Sequence, residues 1–234
     1  MRIKPDISGV TIVLIGSFNP PIFNPDWLLR KDIVGETEAE NANVEFIHRE
    51  ISAFEVGGIQ VKVEPERYTA TTAMPPFVKL KDFVVNTFNS LAETPISKMG
   101  INLGVHFAVP NFEIRDAIGL KLAPLEPWGA WGRDILGSAK PSQKDYRDKH
   151  GGLLSLKMIQ NDIPDRPGGK IQVRVEPSVK IAIGVFVEVN DHYQAPTSDL
   201  TKLNAEIVGD LEKNWDNSIE KSESIVDQLM SLAE

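Results

Sequence analysis

The chain has 234 residues, 41% of them hydrophobic, a net charge of −8 and no cysteine. That is apolar material for one large core or two small ones, and the missing thiols exclude disulfides, thiolate zinc sites and cysteine nucleophiles. The start, Met1-Arg2-Ile3-Lys4-Pro5-Asp6, has no secretory apolar run, and no segment reaches the ~20 apolar residues that span a bilayer, so a soluble cytoplasmic protein without membrane contact is expected. Residues 199–234 hold 9 acids against 3 lysines and so contribute −6 of the −8. An acidic segment repels phosphate, so nucleic-acid binding is not expected. Those acids read as a solvated helix face or as a docking surface for a basic partner.

In chain order, Val10 to Phe18 is an apolar run of strand length that stops at Asn19-Pro20-Pro21, where proline removes ladder donors. Asn24 or Asp26 can cap a short helical turn around Trp27, which is expected in the core. Gly35 to Asn43 reads as a surface loop, and Asn43 to Val56 alternates irregularly. Gly57-Gly58 predicts a hairpin turn, because glycine reaches positive φ without strain. Ile59 to Glu64 alternates as a strand and runs into a Tyr68–Thr72 tail. A helix then opens near Pro76, with Phe77, Leu80, Val84, Phe88 and Leu91 at helical spacing. Ile101, Leu103, Val105 and Phe107 alternate with Asn102, Gly104 and His106, the pattern of a half-buried strand.

Between Pro124 and Gly152 the periodicity breaks. Trp128 and Trp131 stand there beside a polar tract, Ser138 to Gly151. Long irregular loops are often functional, so this stretch is a candidate binding element; the alternative is that the tryptophans plug one edge of the core while the tract stays solvated. Leu153 to Gln160, Lys170 to Glu176 and Val179 to Asn190 read as strands. The last helix should start after Pro196, capped by Thr197 or Ser198, and carry Leu203, Ile207, Leu211, Trp215, Ile219, Val226 and Leu229 inward. At 1.5 Å per residue it reaches about 50 Å, more than a small sheet covers. Its last turns, with Ile225, Val226, Leu229, Met230 and Leu232, could therefore pack on another subunit.

The chain also echoes itself. Val61 to Tyr68 followed by Phe77-Val78-Lys79-Leu80 matches Val187 to Tyr193 followed by Leu200-Thr201-Lys202-Leu203, each a strand feeding a helix. A competing register, Gly57 to Pro65 against Gly168 to Pro177, has higher identity but places no helix next, so the first is preferred. Phe18, Pro21 and Phe23 recur as Phe107, Pro110 and Phe112.

Catalytic signatures are missing. No glycine cluster precedes a helix as a phosphate loop requires, and there is no nucleophile elbow and no His-Glu-x-x-His pair. No cofactor, catalytic residue or metal ligand is assigned. If the strand valines face the helices, the other sheet face presents Gln60, Lys62, Glu64, Asn102, His106, Gln172, Arg174, Glu176, Glu188, Asn190 and His192. From these, Lys62, His106, Arg174, Glu188, Asn190 and His192 join Trp128 and Trp131 as candidate binding residues. Two histidines beside carboxylates could instead hold a metal or move protons.

The runs Val61-Lys62-Val63-Glu64-Pro65-Glu66-Arg67-Tyr68, Phe77-Val78-Lys79-Leu80, Thr94-Pro95-Ile96 and Met99-Gly100-Ile101-Asn102, with the later Val173-Arg174-Val175-Glu176-Pro177 and Val189-Asn190-Asp191-His192-Tyr193, resemble a sporadically distributed family of uncharacterised bacterial proteins of similar length. The resemblance implies no established activity and carries over no functional residue. Its patchy occurrence is typical of accessory genes, including phage-defence and toxin–antitoxin modules.

These readings predict one α+β domain over residues 1–234: a mainly antiparallel sheet with two long helices on one face. Its internally duplicated strand-strand-strand-helix halves would be 1–97 and 98–234, with an insertion at 124–152. The expected function is a non-enzymatic interaction module with a protein partner or self-association. The alternative is a small-ligand sensor or enzyme using the polar sheet face.

Overall fold

In the computed structural model, which describes residues 1, 3–137, 151–164 and 166–233, alternating apolar and polar residues produce strands that join in one sheet. They are β1 (Ile7–Gly16), β2 (Asn43–Ile47), β3 (Ser52–Val56), β4 (Ile59–Glu64), β5 (Arg67–Thr72), β6 (Ile96–Ala108), β7 (Leu156–Ile163), β8 (Arg166–Pro177) and β9 (Gly184–Gln194). The sheet has nine strands in the order β2-β3-β4-β5-β1-β6-β9-β8-β7, and every pairing is antiparallel. The helices are α1 (Pro25–Arg30), α2 (Glu36–Glu40), α3 (Val78–Asn89), α4 (Phe112–Leu122), α5 (Gly129–Asp134) and α6 (Leu203–Met230). The chain is thus an α+β fold on an antiparallel sheet.

Period-two alternation decides which side of the sheet is buried. On β1, Val10, Ile12 and Leu14 are almost fully enclosed. Their neighbours across the ladders, Ala70 and Tyr68 on β5 and Leu103, Ile101 and Met99 on β6, are enclosed with them. The row continues through Val189 and Tyr193 on β9. Helix α3 lies on β1 and β5, α6 lies on β6 and β9, and the two helices touch. Phe18, Phe23, Tyr68 and Phe88 meet edge-on or tilted, the closest pair being Tyr68 and Phe88 at 4.9 Å between ring centres. Each fully buried large side chain of this kind contributes about 1.5–3 kcal/mol.

Several expectations need correction. Of the two helices expected to be long, α6 has 28 residues and α3 only 12. Five strands precede α3 and four more precede α6, not three in each half. The Tyr68–Thr72 tail is a strand of its own, because the chain reverses at Pro65-Glu66 and β5 returns between β4 and β1. The C-terminal turns also make contacts within the chain. Val226 and Met230 are buried, the segment after α6 packs on α4, and the backbone N–H of Ile3 donates to Asp227.

The preferred echo register does not survive the strand order. Val61 belongs to β4, two strands out from β1, while Val187 belongs to β9, which adjoins β6. The competing register sets β4 against β8, and those strands hold matching places. Each is second out from the strand that opens its half, and each is followed by a strand adjoining that opener and then by a helix. Gly57 (φ +56°) and Gly58 (φ +77°) make the turn into β4, and Gly168 (φ +71°) bends the start of β8.

Candidate functional site: the open sheet face and the tryptophan turn

The ladders place all eleven predicted polar-face residues on the side of the sheet away from the core. Through the middle runs one cross-strand row, Gln60–Thr71–Thr11–Asn102–Asn190–Gln172, of neutral hydrogen-bonding side chains. Thr11 and Thr71 share a hydrogen bond at 2.9 Å. Asn102 Nδ2 donates to the Thr11 carbonyl at 3.2 Å, which turns its oxygen toward β9, and Asn190 Nδ2 donates to that oxygen at 2.5 Å. The middle of the row is held together, since the bond to Thr11 fixes the Asn102 amide and that amide orients Asn190.

Charges lie to either side. Arg174 Nη2 meets Glu188 at 3.0 Å, Nη1 meets Glu176 at 3.4 Å, and the guanidinium sits 5.3 Å from the centre of the Phe186 ring. Lys62 pairs with Glu64 at 2.9 Å. Two hollows, of 410 and 300 Å³, share Thr11, Asn102 and Glu188 and form one groove along the face.

The two histidines do not converge. Gly100 pairs with His192, and His106 lies six residues further along β6, so the imidazoles are about 20 Å apart at 3.4 Å per residue. His106 is buried, packs 4.6 Å from the Phe186 ring centre, and bonds Ser178 Oγ through Nδ1 at 2.8 Å. Ser178 Oγ already accepts the backbone N–H groups of Lys180 and Ile181, so its hydroxyl proton is the one shared with Nδ1. That arrangement wants a neutral imidazole. Burial and the nearby Lys180 charge both lower its pKa from the usual 6.5, in agreement. His106 therefore ties the loop before β9 to β6. His192 is also pushed down, first by burial and then by Lys98, Lys170 and Arg166. Among the described residues, no group of three or more histidines, aspartates or glutamates is placed to hold a metal ion.

The tryptophan pair occupies a different place. A short 3-10 turn, Glu126–Trp128, leads into α5, and α5 packs chiefly on that turn. Gly129 has φ +61°, and a Cβ on Gly132 would fall 2.3 Å from the Leu125 carbonyl oxygen, so both glycines are needed for the fold-back. Trp128 and Trp131 are 55% and 58% exposed and meet edge to face at 5.4 Å. They do not plug the core. Most of the polar tract that follows, 138–150, lies outside the described residues.

Sequence reasoning missed a buried charge cluster on the core side of β9. Arg166 Nη2 contacts Asp191 Oδ1 at 2.5 Å, Tyr193 donates its hydroxyl to Asp191 Oδ2 at 3.0 Å, and the guanidinium lies 4.1 Å over the Tyr193 ring. Burial and the Asp191 carboxylate push the Tyr193 phenol far up. Asp191 falls between Asn190 and His192, and period two alone would have turned it inward. No family model and no curated protein sequence matches the chain. Among the described residues no helix is long and apolar enough to cross a membrane.

Proposed function

We propose that the protein is a non-enzymatic interaction module that grips a protein partner through the Trp128–Trp131 turn. The supporting observation is the exposure of two indoles that meet edge to face on a glycine-shaped turn outside the sheet. Large aromatic side chains that stay rigid and exposed are the usual anchors of protein interfaces, since they bury much area at small entropic cost. The two halves fit a duplication in which β4 corresponds to β8 and each half lays its helix on the same apolar face. The resemblance to the patchily distributed bacterial family favours an accessory role, in a phage-defence or toxin–antitoxin system. A second copy of the chain is the simplest alternative occupant of the turn.

The test is retrieval of the tagged protein from its native cells, with wild type beside a Trp128→Ala/Trp131→Ala variant. Loss of one stoichiometric partner by the variant, with an unchanged thermal melt, is the expected result. Equal capture by both rejects the turn. Sedimentation of the purified chain separates self-association from a foreign partner. A second reading has its own observation: the groove on the open sheet face is large enough for a small ligand and is lined by held polar groups.

A further inference from the structure

The 300 Å³ hollow has a chemical character that narrows its ligand. Its floor is Gly100, where the missing side chain opens the sheet surface between Val13 and His192. Glycine inside a strand often marks a close approach by a ligand. Lys98 and Arg67 stand on either side of Ile15 in adjoining strands, and His192 stands across from Gly100. Lys98 forms no ion pair among the described residues, and Arg67 reaches only the Thr69 hydroxyl, at 3.5 Å. Lys98, together with Lys170 and Arg166, also lowers the pKa of His192 after burial has done so. This end of the hollow is built for an anion.

The other wall is built for hydroxyl groups. Asn190 Nδ2 is committed to Asn102, and Asn190 Oδ1 accepts no hydrogen bond although it is enclosed. That oxygen lies over the floor, 3.5 Å from where a Cβ on Gly100 would be. Glu188 is the one carboxylate in the hollow, and its link to Arg174 runs through a single oxygen, Oε2. A buried acceptor without a donor calls for an explanation, and a ligand hydroxyl supplies one. An anion alone would leave both acceptors facing like charge.

We propose that this hollow binds a phosphorylated polyol, a sugar phosphate or the ribose phosphate of a nucleotide, with the phosphate among Lys98, Arg67 and His192 and hydroxyls donating to Asn190 and Glu188. It rests on the open-face reading and is independent of the tryptophan turn. Lys98 and Arg67 are exposed, so replacing them leaves the fold in place.

The experiment is calorimetric titration of the full chain with ribose 5-phosphate, ribose, inorganic phosphate and adenosine monophosphate. Ribose 5-phosphate should bind at least about tenfold tighter than ribose or phosphate alone. Lys98→Ala/Arg67→Ala should weaken it by about tenfold or more, and Asn190→Leu should remove the preference over inorganic phosphate. Tighter binding of the nucleotide identifies a nucleotide site, and equal or weaker binding a sugar-phosphate site. No binding of either phosphorylated compound at millimolar concentration overturns the proposal, as does unchanged affinity in the double variant. Ribose binding as tightly as its phosphate also overturns it, while leaving the broader reading of the face as a ligand surface standing.

Discussion

One contact whose loss should be felt in stability is the Arg166–Asp191 pair. Both side chains are mostly out of water, at 17% and 4% exposure. Removing one member of a buried pair strands the other charge, and that costs about 3–5 kcal/mol. Asp191→Ala should therefore lower the unfolding free energy measured in urea by that amount, and Arg166→Met/Asp191→Leu should recover most of the loss. A single variant as stable as wild type would mean the pair is solvated. The histidines give a second test. Folding lowers both pKa values below 6.5, so the unfolded chain takes up protons first as pH falls. Their contribution is complete above about pH 6.5 and declines below it, toward the lower folded values. Denaturation between pH 7.5 and 5.5 should show this slope, and His106→Gln should flatten it. A slope the same in wild type and variant would place His106 outside the effect.

Elements were legible where one periodicity ran long enough. The stripe of Leu80, Val84 and Phe88 and the alternation of Ile101, Leu103 and Val105 identified α3 and β6 because one face of each is buried. The second strand of the hairpin, β5, was hidden. Arg67–Thr72 has threonines on its open face and Tyr68 and Ala70 inward, so its apolar signal is weak. Helix α4 went unread for a similar reason: only Ile118 is buried along it, and Asn111 caps it by accepting from the Ile114 N–H. Helix length alone says nothing about α4 and the N-terminal arm, which meet the end of α6. Packing between elements can be tested at Phe88, where α3 reaches Tyr68, Phe18 and Phe23. Phe88→Ala should cost about 3–5 kcal/mol in chemical denaturation, and a loss under 1 kcal/mol would show that the aromatic cluster can collapse into the gap.

At the scale of the whole molecule, the sheet has a covered side, an open side and two edges on which no further strand lies among the described residues. The covered and open sides could be read from alternation alone, which is why the eleven polar-face residues were assigned together. Strand order could not, because pairing partners such as Asn102 and Asn190 are 88 residues apart and carry no local signal. That is also why the two histidines were grouped although the ladders hold them apart. At the edges, Val44, Phe46 and Ile47 on β2 and Met158 and Ile159 on β7 are exposed, and each edge pairing is interrupted by a register shift. Such interruptions discourage further strands from adding. Phe46→Lys with Met158→Lys should reduce aggregation on heating while leaving the denaturant midpoint unchanged, and a large midpoint loss would show that these side chains are not free surface.

The proposal that the molecule engages its partner at the tryptophan turn, and not at the open sheet face, can be tested by contact itself. A photo-crosslinking amino acid placed at Trp131, and separately at Lys62 on the open face, would be activated in the native cells and the adducts identified by mass spectrometry. One defined protein joined to position 131 and none to position 62 is the predicted result. A partner trapped at position 62 alone, or no adduct at 131, would contradict it.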